Sequence, residues 1–217
     1  MDSLKRLCTG TAFILLLLSA LPATSQAAEK KAPPWYDIEI VLFSMPDRGS
    51  SEQWPVDPGK PGTEGTVTLA SFKQLPPRDW RLAAEDNALN RSKGRYRTLA
   101  HLAWRQPVRS RKRAKPIYVR SKKTLADGFP ALEGSIRISV GRYLHVDLDL
   151  LLRDRMQTAS VDTADFQAYR FIAHRRMRSG ETHYIDHPRI GALVRIEKAP
   201  QADTPIKDDP VDTVNGE

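Results

Sequence analysis

The sequence predicts an α+β fold, a single domain dominated by antiparallel β-strands with one main helix. Three observations predict it. Ile136 to Leu150 alternates apolar and polar residues more cleanly than any other stretch. Asp79 to Ser92 carries the main helical stripe. The single cysteine, Cys8, excludes an internal disulfide framework, so a packed core must hold the domain together. The 217 residues suit that size, and 40% hydrophobic against 28% charged residues excludes a wholly disordered chain.

Residues 1–27 read as a cleaved export signal. Lys5 and Arg6 precede an apolar stretch from Thr11 to Leu21, too short for a membrane span of about 20 residues. Pro22 follows, and Ser25 and Ala27 stand at the small-residue positions before a cut after Ala27. Cys8 leaves with the signal, which suits an oxidising compartment. The formal charge of +8 becomes +7, because Asp2 leaves with the two cations. In the cytosol such a balance points to nucleic acid. Export to the periplasm replaces nucleic acid with cell-wall polymers, lipid headgroups and acidic proteins as partners.

The mature domain is expected over residues 28–198. Trp35 to Ser44 (WYDIEIVLFS) alternates as a strand, with its second face turning apolar at the end. Met45 to Gly65 is a Pro- and Gly-rich loop, with Trp54 as a packing plug. Asp79 caps the helix, and Gly94 stops it. Arg95 to Gln106 alternates as a strand, while Leu99, Leu102 and Ala103 also fit a helix; it is read as a strand ending at Pro107. It forms a hairpin with Ile117 to Arg120, and Val108 to Pro116 is the tip.

Ile136 to Leu150 is either one long strand with a bulge at Gly141 or a tight hairpin turning near Val140-Gly141, and periodicity does not separate them. Tyr169 to Met177, Thr182 to Asp186 and Ile190 to Ile196 complete a sheet with one packed face and one wet face. The residues 199–217 are apolar-poor and acidic, and are read as a disordered tail.

No motif calls for a cofactor, and the sequence holds no nucleophile elbow or phosphate-cradling loop. His183 and His187 lack the helix and the glutamate of a metalloprotease frame, so no metal is expected. Asp147 and Asp149 share a strand face. A glycosidase pair normally comes from separate elements, so a solvated face is the better reading, with a cell-wall hydrolase as the alternative.

Cations are more informative. Arg109, Arg111, Lys112, Arg113 and Lys115 lie within seven residues and form a candidate polyanion contact. Trp104, Arg105, Arg142, Tyr143, His145, Arg175 and Arg176 combine planar and cationic groups. Arginine pairs bidentately with carboxylates and aromatic rings stack on sugar faces, so these seven are candidate contacts for glycan strands bearing carboxylated peptides.

The exported strand WYDIEIVLFS, then Glu52-Gln53-Trp54-Pro55 and Asp57-Pro58-Gly59, then HLAWRQP (101–107), LEG (132–134), GRYLHVDLDL (141–150) and RRMRSGETHYIDHPRIGALV (175–194) resemble the CsiV family. Its members are periplasmic peptidoglycan-binding proteins of gamma-proteobacteria. The resemblance runs from about Trp35 to Ile196. It implies a non-enzymatic protein that binds peptidoglycan and supports cell-wall synthesis and cell shape. The implied partner is an outer-membrane lipoprotein activator of a bifunctional synthase. A protein-interaction module without direct wall contact is the rival reading. The resemblance assigns no individual binding residue.

Overall fold

Alternating strands build two five-stranded sheets in the computed structural model, which describes residues 32–46, 55, 57–125, 128–155 and 166–200. The expected export signal, Trp54 and nearly all of the expected tail, from residue 201 on, lie outside the described residues. In chain order the strands are β1 (Trp35–Ser44), β2 (Val67–Thr68), β3 (Lys73–Gln74), β4 (Arg97–Pro107), β5 (Ile117–Arg120), β6 (Leu132–Val140), β7 (Leu144–Arg155), β8 (Phe166–Met177), β9 (Thr182–Ile185) and β10 (Ile190–Lys198). The helix α1 (Ala83–Asn90) lies between β3 and β4. Sheet A has the order β3-β4-β1-β10-β9 and sheet B the order β2-β5-β6-β7-β8. All pairings are antiparallel except β2 with β5. The expected α+β class holds, although the strands form two sheets and not one.

One core joins the two sheets. Ile38, Ile40, Leu42, Trp104, Val194 and Ile196 come from sheet A, and Ile136, Ile138, Val146, Leu148, Leu150 and Phe171 from sheet B. Each such side chain contributes about 1.5–3 kcal/mol by leaving water. A second, smaller cluster lies on the other face of sheet A, where Val41 and Phe43 pack on Leu82 beside α1. This explains why the second face of β1 turns apolar along its length: β1 is buried on both sides from Ile38 onward.

The expected hairpin of β4 with β5 does not form. β4 pairs with β1 and β3, whereas β5 pairs with β6 and β2. The segment between them is a crossover. Buried Val108 donates its N–H to Pro34 O at 2.9 Å on the sheet A side. Its neighbour Arg109 accepts at its carbonyl from Val140 N–H at 2.9 Å on the sheet B side. Residues 108 and 109 therefore tie the two sheets together, a long-range arrangement that periodicity within each strand does not register.

Of the two readings left open for residues 136–150, the structure shows the hairpin, but its turn lies over Gly141 to Tyr143 and not at Val140-Gly141. Val140 pairs with Leu144 across the three-residue loop Gly141 to Tyr143, and Gly141 N–H donates to Tyr143 O at 2.9 Å. Residues directly opposite point to the same face. A loop of odd length preserves parity, so the even-numbered apolar residues of both strands face the core, which a two-residue turn would prevent. Gly134 allows the strands to approach: its φ is +148°, and a β-carbon there would lie 2.2 Å from Asp149 O.

The helix is shorter than expected and differently capped. Asp79 closes a separate 3-10 turn, Pro77–Asp79, and does not cap α1. Glu39, buried on β1, accepts instead from the amides of Arg81 and Leu82 at 2.6 and 2.9 Å. Its Oε1 also faces His101 Nε2 at 2.7 Å, and His101 Nδ1 faces Asp86 Oδ2 on α1 at 2.9 Å. Both ring nitrogens meet carboxylates, so the ring is held as an imidazolium that clips the helix to sheet A. Burial works against the charge on His101, but the bonds to Glu39 and Asp86 outweigh it and raise its pKa above the ordinary value. Burial likewise opposes the Glu39 carboxylate, yet the His101 bond and the two amides hold its pKa below the ordinary value.

The signs of these shifts define a pH window. The His101 contribution is complete below the unfolded imidazole value and is lost as pH rises through the raised folded value. The Glu39 contribution is complete above the unfolded carboxylate value and is lost as pH falls through the lowered one. Urea unfolding should therefore show greatest stability from this clip between about pH 4.3 and about pH 6.5, with a decline on the alkaline side. His101→Gln should cost about 3 kcal/mol at pH 6 and remove the alkaline decline. An unchanged alkaline limb in that variant would count against the imidazolium clip.

Candidate functional site

The seven planar and cationic candidates occupy three separate environments. Trp104 is fully buried in the core, and its indole N–H donates to Gln106 Oε1 at 2.8 Å. Its even position in β4 places it on the inner face of sheet A, so it is a core residue and not a wall contact. Arg105 points from the opposite face of β4 and is held by Asp37 through two bonds of 2.6 and 2.8 Å. Arg175 pairs in register with Val146, a core residue, so it shares the core-side parity at the exposed rim of β8. Arg142, Tyr143, His145 and Arg176 do come together, on the outer face of sheet B.

Register explains that grouping. β7 and β8 align His145 with Arg176, Asp147 with His174 and Asp149 with Ile172. β6 adds Arg137 opposite Asp147. Arg176 lies over the Tyr143 ring at 4.6 Å from its centroid, and Arg142 approaches the same ring at 5.6 Å. Such contacts keep a flat, electron-rich ring upright at the surface. The rings of His145 and His174 stack at 5.2 Å, with Nδ1 of the first 3.3 Å from Nε2 of the second. His174 Nδ1 reaches Asp147 Oδ1 at 2.7 Å.

Beside these groups is a cleft of about 390 Å³, lined among others by Arg111, Arg137, Asp147, Ile172 and His174. Arg111 enters from the crossover, where Ser110 O accepts from the amides of Arg113 and Ala114, and its Nη2 donates to Asp147 Oδ1 at 2.8 Å. Ile172 stands 68% exposed at the cleft, unusual for a large apolar side chain. At the far end Asp149 takes a bidentate pair from Arg170, both bonds 2.9 Å, and accepts from Gly62 N–H at 2.8 Å. Burial acts against the Asp149 carboxylate, but Arg170 and the Gly62 amide hold its pKa below the ordinary range. Arg170 Nη1 also lies 3.5 Å from Pro58 O, so the loop after β1 walls this side of the face.

The five-cation loop is divided by the fold. Arg111 belongs to the cleft just described. Arg109, Arg113 and Lys115 line a second cleft of about 540 Å³ with Val67, Phe72 and Ile138, and Lys112 is exposed. The segment is not a hairpin tip, as the crossover shows. The two histidines considered for a metal serve local structure: His183 Nε2 lies 3.4 Å from Glu181, and His187 Nδ1 accepts from Arg189 N–H at 3.2 Å.

Arg137, Arg170, Ile172 and His174 escaped the sequence reading. Arg137 was legible in principle, since it shares the odd-numbered face with Tyr143, His145 and Asp147. The other three lie on β8, and their proximity depends on a cross-strand register that one strand's pattern does not contain.

The outer face of sheet B thus combines cations, an upright tyrosine, stacked imidazoles and a shallow cleft. The sequence profile described as "Peptidoglycan-binding protein, CsiV" matches residues 11–199, and the chain belongs to that family. No curated protein and no solved structure matches the chain. Among the described residues, no helix is long and apolar enough to cross a membrane.

The Asp149–Arg170 pair makes a local prediction. Arg170→Ala should release the loop at Gly62, read as loss of hydrogen-exchange protection at the Gly62 amide. The cost to global stability should be about 1–3 kcal/mol, the penalty of a half-buried carboxylate left without its cation. Retained protection at Gly62 would show that the loop is held by other contacts.

Proposed function

We propose that this protein is an exported, periplasmic and non-enzymatic binder of peptidoglycan, and that the outer face of β6 to β8 is its wall-contacting surface. Family membership supports the ligand class. The observation that carries the choice of surface is the gathering of Arg111, Arg137, Arg142, Arg176, Tyr143, His145 and Ile172 on one open sheet face. Guanidinium groups suit the carboxylates of stem peptides, and Tyr143 and Ile172 suit sugar faces and methyl groups. Arg105 is occupied by Asp37, and Trp104 is enclosed, so neither belongs to this surface.

The same geometry speaks against the hydrolase alternative. A general acid needs a carboxyl with a raised pKa. Asp149 is instead held as a carboxylate by Arg170. Asp147 bonds Arg111 and His174 through one oxygen. In the reading adopted here both residues organise cations and neither cleaves glycan. Support of a bifunctional synthase through its outer-membrane lipoprotein activator, and through it maintenance of cell shape, rests on the family resemblance alone. A pure protein-interaction module draws on one observation: β8 is an edge strand of sheet B and carries exposed Ile172.

Pelleting of the purified protein with isolated sacculi over a salt series tests the proposal, with released muropeptides assayed in the same tubes. Saturable, salt-weakened pelleting without release is expected. Arg176→Glu should weaken it by about tenfold, roughly 1.4 kcal/mol, and Arg175→Glu, on the other side of the strand, by less than about twofold. No pelleting at any salt would overturn wall binding and favour the interaction module. Released muropeptides, abolished by Asp147→Asn, would restore the hydrolase.

A further inference from the structure

We propose that the cleft on sheet B recognises the free ammonium–carboxylate end of a diamino diacid in a stem peptide, and so prefers peptides not yet cross-linked through that amine. The inference rests on the wall-binding reading above and adds the chemical group that the cleft selects. Arg137 takes the carboxylate, and Asp147 takes the ammonium.

Two unmet groups carry the argument. Arg137 and Asp147 stand directly opposite each other on β6 and β7. An arginine and an aspartate in that position normally pair. These two do not. Among the described residues, the Arg137 side chain makes no hydrogen bond or ion pair, and its buried Nε has no acceptor. Asp147 Oδ1 is shared by Arg111 and His174, while Oδ2 is buried without a donor. Unmet buried groups are rare in native proteins and ask for a partner.

A donor and an acceptor side by side complement a ligand with both an anionic acceptor and a cationic donor on one carbon. That is the end of an α-amino acid. A simple carboxylate would leave the Asp147 oxygen unmet and would face its charge. A simple amine would leave Arg137 unmet and face its guanidinium. The cleft, at about 390 Å³, is of a size for one side chain, and exposed Ile172 at its edge can cover the methylenes. Admission of the ligand displaces a lining side chain. Arg111, 61% exposed and extended from the crossover, is suited to move.

The stem-peptide diamino diacid carries such an end before cross-linking. Cross-linking acylates the amine, which removes its charge and two of its three donors. The protein therefore reads the cross-linking state of the strand it holds.

Titration calorimetry with an uncross-linked disaccharide tetrapeptide containing meso-diaminopimelate, free or N-acetylated at that amine, tests this. Acetylation should weaken binding at least about tenfold, as expected when a site built for a donor meets an analogue lacking it. Asp147→Asn should erase the difference between the two ligands. Arg137→Gln should weaken both; it removes no described contact and so keeps the fold. Equal affinity of the wild-type protein for the two ligands, with sacculus binding intact, would overturn the selectivity and leave wall binding standing. Failure to bind either ligand or sacculi would overturn both.

Discussion

The register of β6 against β7 is the constraint on which the rest of the structure depends. The three-residue loop Gly141 to Tyr143 places Val140 opposite Leu144, and every later pair follows. Ile136, Ile138, Val146, Leu148 and Leu150 then enter the core together. Arg137, His145, Asp147 and Asp149 leave together on the other side. A slip of one residue would send the apolar set to water and the charged set inward. Core and candidate site are thus two faces of one choice, and the stability of the first secures the geometry of the second.

The two outer faces use charge differently. On sheet A, Glu39, His101 and Asp86 form a nearly enclosed chain of ionic hydrogen bonds that seats the helix, and Arg105 is neutralised by Asp37. There, charge is structural. On sheet B, Arg142 and Arg176 hold a tyrosine ring, and Arg137 holds nothing among the described residues. There, beside the Asp149–Arg170 and Asp147–Arg111 pairs, some charge stays available. A basic composition alone does not separate these roles, because pairing depends on which cation meets which anion across strands.

The crossover at Val108 and Arg109 links the two uses. Its buried half closes the space between the sheets, and its exposed half delivers Arg111 to the cleft on sheet B and Arg109, Arg113 and Lys115 to a second cleft. A run of cations that reads as one polyanion contact in the linear chain becomes two groups with different neighbours. Its position between sheets, and not at a hairpin tip, follows from β4 finding its partners in β1 and β3.

By itself the sequence determined the elements whose signal is local. Period-2 alternation marked β1, the two arms of the 136–150 hairpin and β10, because each strand writes its buried face into its own residues. The α+β class, the short helix region and the outward placing of Tyr143 and His145 were legible for the same reason. The family resemblance was carried by ordered segments across the domain, and the profile match agrees with it. Only the tertiary structure decided that the strands form two sheets, that β4 and β5 part company, that Trp104 is enclosed and that Arg175 faces away from Arg176's neighbours. It alone brought Arg137, Asp147, His174 and Ile172 to one cleft. Those facts depend on pairing between residues distant in the chain, and alternation records which side a residue faces without recording which strand lies beside it.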